Sequence, residues 1–284
     1  MAYRSFEWKS ADGILMQGGE WRAETDAPPR AVVVLVHGMG EHMGRYHHVG
    51  EMFADEGYAV LGFDQRGHGR TAGKRGHTPT FDALLEGIDW VRDEARRLYP
   101  DAPVFLYGHS MGGNVTLNYL LRRQPDVAGA VISGPWLRLA FSPPQLQVVL
   151  GRVVERLYPS FTNTRPLNVD YLTTDPEMAK MYRSDPLGHS QITAAFFFGV
   201  QRAGLWAIRH AGELRAPVLL MHGGRDRVTS IQASREFANA AGPICAFKEW
   251  PGYNHELHNE LGREDVFAFV RQWLNDRQAA ASPR

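Results

Sequence analysis

The sequence contains a single cysteine, Cys245, among its 284 residues. One cysteine can form neither an intramolecular disulfide nor a cysteine-rich zinc site, so the fold must depend on its hydrophobic core. The sequence also lacks an excess of charge, because 31 basic and 31 acidic residues give a formal net charge of zero. Proteins that bind nucleic acid usually carry a basic excess, so we predict no nucleic-acid partner.

Long apolar runs are missing as well. No segment approaches the roughly 18–20 apolar residues that a membrane-spanning helix needs. The first seven residues, which include Arg4 and Glu7, are too polar for a secretion signal. We therefore expect a soluble protein in the cytoplasm.

The motifs of common cofactor and metal sites are incomplete. The Gly73-Lys74 pair does not make a P-loop, since His68 stands where that motif needs glycine. The Gly-x-Gly sequence at Gly38 is followed by Met43 where a dinucleotide-binding motif needs its third glycine. The sequence beginning at residue 255 places its second histidine one position too early for H-E-x-x-H. We predict no cofactor and no metal.

Short apolar runs alternate with helical patterns along most of the chain. This alternation is typical of an α/β fold, with a mostly parallel central sheet flanked by helices. A hairpin is expected within residues 4–22, and the β-branched run at 31–36 suits a strand buried on both faces. Further strands are predicted at 59–63, 104–107, 128–133, 217–222 and 246–250.

The alternation stops after Trp136 for about 75 residues that contain recurring prolines and no clear strand. Apolar residues at helical spacing within this stretch include Leu146, Val149, Val153 and Leu157. We interpret residues 136–213 as a helical cap inserted after the sixth strand, with 1–135 and 214–284 forming the α/β core. The alternative, that these helices simply cover the sheet, stays open.

The sequence Gly108-His109-Ser110-Met111-Gly112 lies between a predicted strand and a predicted helix. This is the G-x-S-x-G pattern, in which glycines permit a tight turn that exposes the serine hydroxyl. We predict that Ser110 is a nucleophile. The backbone N–H of Met111 then lies at a helix N-terminus, where it can stabilise a developing oxyanion.

A serine nucleophile needs a base and a group that orients the base. Asp226 follows the predicted strand at 217–222, and His255 follows the strand at 246–250. Both therefore belong at the same edge of the sheet as Ser110, in the chain order serine, acid, histidine. The loop after the strand at 31–36 predicts a second oxyanion donor, the N–H of Met39, between two glycines.

At these motifs the sequence resembles the α/β-hydrolase superfamily, and within it the monoglyceride lipase and lysophospholipase branch. The resemblance implies a serine ester hydrolase that cleaves monoacylglycerols through an acyl-enzyme, with no cofactor. Lysophospholipase, a broad-specificity carboxylesterase and a ligand-binding receptor on the same fold are the alternatives. The matching strings are H-G-M-G-E-H at 37–42, G-R-Y at 44–46, D-Q-R-G-H-G at 64–69, G-H-S-M-G-G at 108–113 and N-H-E-L-H-N-E at 254–260.

The resemblance also implies that Glu41, Arg45 and His258 bind the glycerol hydroxyls. The alternative for the first two is that Glu41 and Arg45 pair with each other and brace their loop. The expected partner is a lipid ester, with transient membrane or micelle contact through the cap. The sequence does not indicate an oligomeric state. The apolar candidates for an acyl tunnel or a membrane-touching face are Leu146, Val149, Leu150, Val153, Phe196, Phe197 and Phe198.

Overall fold

The computed structural model of the chain describes residues 1–25 and 27–281. Eight strands form the main sheet in the order β1-β2-β4-β3-β5-β6-β9-β10, and a separate ribbon pairs β7 with β8. β1 and β2 are antiparallel, as are β2 and β4, whereas all other neighbours in the main sheet are parallel. The strands are β1 (Ala2–Lys9), β2 (Leu15–Arg22), β3 (Val32–Val36), β4 (Ala59–Asp64), β5 (Val104–His109), β6 (Gly129–Ser133), β7 (Thr162–Thr164), β8 (Gln191–Thr193), β9 (Val218–Gly223) and β10 (Cys245–Trp250).

Helices cover both faces of the main sheet, which confirms the predicted α/β fold class. Every residue of β3 is buried, as a β-branched strand between two layers requires. Helices α1 and α8 pack on one face, and α2, α3 and α7 pack on the other. Their bounds are α1 (His47–Asp55), α2 (Asp82–Leu98), α3 (Met111–Arg123), α7 (Ile231–Ala241) and α8 (Arg263–Ala281).

The chain between β6 and β9, which we call the insertion, contains α4 (Gln145–Leu157), α5 (Pro176–Ser184) and α6 (Ala194–Arg209). It also contains β7 and β8, two three-residue strands where the sequence predicted none. These strands are short and mostly polar, so neither apolar alternation nor length marks them in the sequence. The division of the chain into a core and a cap stays a prediction.

The helices of the insertion differ in their packing. α6 packs on α3, where the amide of Asn114 donates to Val200 O at 3.0 Å and that of Asn118 to Ala203 O at 3.2 Å. By contrast, α4 has no buried residue. Thus α6 belongs to the main core, whereas α4 lies at the surface. No helix within the described ranges is long and apolar enough to cross a membrane.

Candidate active site

Ser110 occupies the turn between β5 and α3 with φ 53° and ψ −117°. This conformation is costly for a residue with a side chain, and it is typical of a nucleophile held on a strand-to-helix turn. Glycines make the turn possible. A Cβ on Gly108 would lie 2.5 Å from Thr116 Oγ1 and 2.8 Å from Gly112 O, and one on Gly112 would collide with Val36 O.

Three side chains form a continuous hydrogen-bonded relay at the carboxyl edge of the sheet. His255 Nε2 lies 2.9 Å from Ser110 Oγ, and His255 Nδ1 lies 2.7 Å from Asp226 Oδ2. All three residues are buried or nearly so, which keeps water from competing for these bonds. The arrangement can remove the hydroxyl proton of Ser110 and return it to a leaving group.

The carboxylate of Asp226 is surrounded by donors. Its Oδ1 accepts the backbone N–H groups of Val228 at 2.7 Å and Thr229 at 2.9 Å. Its Oδ2 accepts the Thr229 hydroxyl at 2.8 Å and lies 3.1 Å from His222 Nε2. Burial alone would raise the pKa of Asp226, but attraction to His255 and the bonds from both histidines hold it well below its usual value. Asp226 therefore stays ionised beside His255.

A loop after β3, residues 37–40, lies against the nucleophile. A Cβ built on Gly38 would lie 3.2 Å from Ser110 Cβ. Within the described part of the chain, the N–H groups of Met39 and Met111 donate to no protein acceptor. Their role as the two oxyanion donors stays a prediction.

Hydrogen bonds between His37 and Gln65 hold this loop in place. The Gln65 backbone N–H donates to His37 Nε2 at 2.9 Å, and its side-chain amide donates to His37 O at 2.5 Å. His37 Nε2 is therefore the acceptor, so the proton on Nδ1 points to Gly38 O at 2.7 Å. Burial lowers the pKa of His37 to about 3, so this neutral tautomer persists at physiological pH.

A cluster of charged residues lies beside the loop. Glu41 Oε1 accepts the Gly38 N–H and the Tyr46 hydroxyl, the latter at 2.7 Å. Glu41 Oε2 is buried and has no hydrogen-bond partner within the described residues. Arg45 approaches Glu41 only to 3.9 Å, but it bonds Glu256 Oε2 at 3.0 Å. The alternative role for Glu41 and Arg45, pairing with each other, is therefore at most a weak contact, because Arg45 bonds Glu256 instead.

His258 is fully buried and does not line the cavity described below. Its ring stacks on Tyr46, with centroids 4.6 Å apart, and meets His109 edge-on at 4.8 Å. Neither ring nitrogen has a hydrogen-bond partner among the residues described. Of the predicted site residues, five line one space: Ser110, His255, Met39, Glu41 and Arg45. Asp226, Met111 and His258 do not line it.

That space is a cavity of about 570 Å³ between the sheet edge and the insertion. Its volume lies in the usual range for small-molecule sites, which combine an apolar wall with a few polar groups. Here the polar groups include Ser110, Glu41 and Arg45. The apolar wall includes Trp136, Leu139, Val148, Leu150, Val154, Phe197 and Phe198.

Comparison with known families agrees with this geometry. The Hydrolase_4 family model, described as serine aminopeptidase, S33, matches residues 27–262. This match covers most of the chain and contains the loop at 37–40 and all three members of the relay. The chain belongs to this family.

Relatives and a solved structure extend the comparison. A monoacylglycerol lipase of Mycolicibacterium smegmatis is 33% identical over 264 residues, which are 92% of this chain and 93% of that protein. Phospholipase YtpA of Bacillus subtilis is 32% identical, covering 90% of this chain and 98% of that protein. The crystal structure of Paleococcus ferrophilus monoacylglycerol lipase matches with a TM-score of 0.84 and 31% identity, over 92% of this chain and 99% of that one. The chain also matches 27% of a longer Dictyostelium discoideum protein described as an uncharacterized abhydrolase domain-containing protein, at 32% identity and over 88% of this chain.

The family, the fold and these relatives identify an α/β-hydrolase, a serine hydrolase that acts on carboxylic esters. Sequence reasoning missed two residues in the site of this α/β-hydrolase. Glu256 directly follows His255 and lines the cavity, and His222, at the end of β9, contacts Asp226. Their positions beside predicted site residues were a signal, because residues at the carboxyl ends of parallel strands converge.

Proposed function

We propose that this α/β-hydrolase cleaves monoacylglycerols to glycerol and a free fatty acid, with Ser110 as the nucleophile. The observation that carries the proposal is the hydrogen-bonded relay from Asp226 through His255 to Ser110, which opens into a largely apolar cavity. Two relatives named as monoacylglycerol lipases, at 31% and 33% identity, support the choice of substrate.

The proposed reaction passes through an acyl-enzyme. Ser110 Oγ attacks the ester carbonyl while His255 Nε2 takes its proton, and the N–H groups of Met39 and Met111 stabilise the oxyanion. His255 then protonates the departing glycerol oxygen. A water molecule gives its proton to His255 and attacks the acyl carbonyl, which releases the fatty acid and restores the Ser110 hydroxyl. Asp226 orients the imidazole and stabilises its positive charge throughout.

The acyl chain and the glycerol head group of the substrate need an apolar and a polar surface, respectively. The acyl chain lies against the apolar side chains that the insertion contributes, such as Leu150 and Phe197. The glycerol lies near Glu41, whose unpartnered Oε2 can accept an O–H, and near Arg45, which can donate. His258 does not line the cavity, so the proposed head-group wall consists of Glu41 and Arg45, with His258 packed behind Tyr46.

α4 is the proposed point of transient contact with a membrane or micelle. One side of this helix lines the cavity through Val148 and Val154. Its other side exposes apolar residues to solvent, with Leu146 at 70% and Leu157 at 78% exposure. An exposed apolar helix face beside a lipid-binding cavity suits contact with a lipid surface. The cytoplasmic location remains a prediction.

A substrate panel tests the proposed function. Purified protein is given a monoacylglycerol, a lysophosphatidylcholine with the same acyl chain and a short p-nitrophenyl ester, and release of acid is measured. We expect the highest kcat/KM for the monoacylglycerol. Preference for the lysophospholipid would favour the lysophospholipase alternative, to which the phospholipase relative points. Binding of the lipids without turnover would favour the receptor alternative.

A further inference from the structure

Glu256 is the one carboxylate of the cavity wall that no predicted role accounts for. Its side chain is 5% exposed and follows directly after His255. Its Oε1 and Oε2 lie 3.3 Å and 3.0 Å from Arg45 Nη2. The amide of Asn259 donates to Oε2 at 2.7 Å, which fixes the carboxylate in this position.

Arg45 is enclosed by these contacts. Its side chain is 11% exposed, and its guanidinium lies 4.5 Å from the centre of the Tyr182 ring. Although burial by itself would lower the pKa of Arg45, the charges of Glu256 and Glu41 raise it, so the guanidinium remains charged. Glu256 therefore neutralises the charge of Arg45 at short range. Glu41 is then a second carboxylate for which the cluster has no further cation.

The cluster of Glu41, Arg45 and Glu256 carries no net positive charge, whether Glu41 is ionised or protonated. Burial raises the pKa of Glu41, an effect that Arg45 opposes and Glu256 increases. With Glu41 ionised, two carboxylates face one guanidinium and the cluster carries one negative charge. With Glu41 protonated, Glu256 and Arg45 cancel. An anionic head group would lose its hydration here without gaining an unpaired cation, which costs free energy.

We propose that Glu256 sets the charge selectivity of this site: by pairing with Arg45, it makes the enzyme select esters with an uncharged polyol head group and reject those with an anionic one. This inference rests on the proposed function and adds a specificity-determining residue to it. The cavity wall has another cation, Arg165, but it is exposed to solvent, which screens its charge.

Two substrates that differ only in head-group charge test the inference. A monoacylglycerol and the corresponding monoacylglycerol phosphate are used, both with an acyl chain short enough to stay monomeric in water. The variant Glu256→Gln keeps the side-chain shape but removes the charge, which leaves Arg45 without its carboxylate. We expect its kcat/KM for the phosphate, relative to the neutral ester, to rise about tenfold or more, the size of one charge-assisted hydrogen bond.

Two further variants show whether the change in substrate ratio comes from an unpaired Arg45 or from the altered net charge of the protein. In Arg45→Gln/Glu256→Gln, both charges are absent, and we expect the gain for the phosphate ester to disappear. Glu86→Gln, an exposed residue on α2, changes the net charge equally and should leave the substrate ratio unchanged. Thermal unfolding shows whether each variant is folded; if Glu256→Gln is not, the rise must appear in Glu256→Ala.

The outcomes are distinct. An unchanged ratio in the folded Glu256 variant, with the neutral ester still cleaved by the wild type, would overturn the charge selectivity and leave the proposed function intact. If the wild type cleaves the neutral ester and its phosphate with equal kcat/KM, the charge selectivity is likewise overturned and the proposed function is left intact. If the wild type cleaves neither monoacylglycerol nor its phosphate, the proposed function fails, and the selectivity fails with it.

Discussion

The imidazole of His109 packs against that of His255, with 4.7 Å between ring centroids. Burial, together with the nearby His255, lowers the pKa of His109 well below 6.5. Burial also acts against a charge on His255, but the Asp226 carboxylate outweighs it and raises the pKa of His255 above 6.5. Of two adjacent buried rings, only the one bonded to Asp226 and Ser110 is therefore set to take a proton.

The pH dependence of the reaction follows from this difference. His255 must be neutral to act as a base, so kcat/KM should fall as the pH drops through its raised pKa, with the half-maximum above pH 6.5. The measurement is kcat/KM against pH for an uncharged, soluble ester. The charged and titratable groups that act on His255 include Asp226, Glu256, Glu41, His109 and His258.

Asp226→Asn provides the matched comparison. Without the carboxylate, the acid limb should move to lower pH, and kcat should fall by about 10⁴-fold because the imidazole loses its orienting partner. If kcat/KM falls at the same pH in both proteins, a group other than His255 controls the pH dependence.

Replacement of Ser110 with alanine removes the nucleophile. We expect ester turnover to fall by about 10⁴-fold or more, and covalent labelling by a fluorophosphonate probe to disappear. Ser142→Ala is the control, because Ser142 also lines the cavity but belongs to no relay. Labelling that persists in Ser110→Ala and is lost in Ser142→Ala would place the nucleophile elsewhere.

Glu41→Gln tests the head-group wall. The amide can keep an oxygen toward Gly38 and Tyr46 while it replaces the unpartnered Oε2 with a donor. Loss of an acceptor for a glycerol hydroxyl should lower kcat/KM for a monoacylglycerol by about tenfold or more. The methyl ester of the same fatty acid has no such hydroxyl and should be affected much less. Equal losses on both substrates would assign Glu41 to support of the loop instead.

The exposed face of α4 is tested by Leu146→Ser/Val153→Ser. Burial of each apolar side chain in lipid is worth about 1.5–3 kcal/mol, so the pair should lower partitioning into phospholipid vesicles by about tenfold or more. Cosedimentation with vesicles measures this. Leu261→Ser changes an exposed leucine outside the insertion and is the control. If both proteins partition equally, α4 is not the contact surface.

The sheet and the relay could be predicted because their signals are local. A β-branched run marks β3, and G-x-S-x-G with a strand before it and a helix after it marks Ser110. The order of strands then placed Asp226 and His255 at the same edge, where the structure has them within 2.9 Å of their partners. Each step needed only neighbouring residues and a rule of topology.

Other features depend on contacts between distant residues. The apolar stripe of α4 predicts a helix, but the sequence does not say that it stays exposed. Pairing of Arg45 with Glu256 joins positions 211 residues apart, while the nearer Glu41 was the obvious partner. For His258, similarity placed the residue next to the site, but in the structure it packs against Tyr46 and His109 and does not line the cavity.

The path of the chain through β6 has a consequence for how such enzymes diversify. β6 lies between β5, which leads into Ser110, and β9, which precedes Asp226. The insertion leaves from one strand and returns to its neighbour, so the parts of it that do not pack on the core, such as α4, can change without moving either anchor. The apolar part of the cavity wall can therefore vary through the insertion, whereas the relay and the residues Glu41, Arg45 and Glu256 are encoded outside it and can be inherited unchanged.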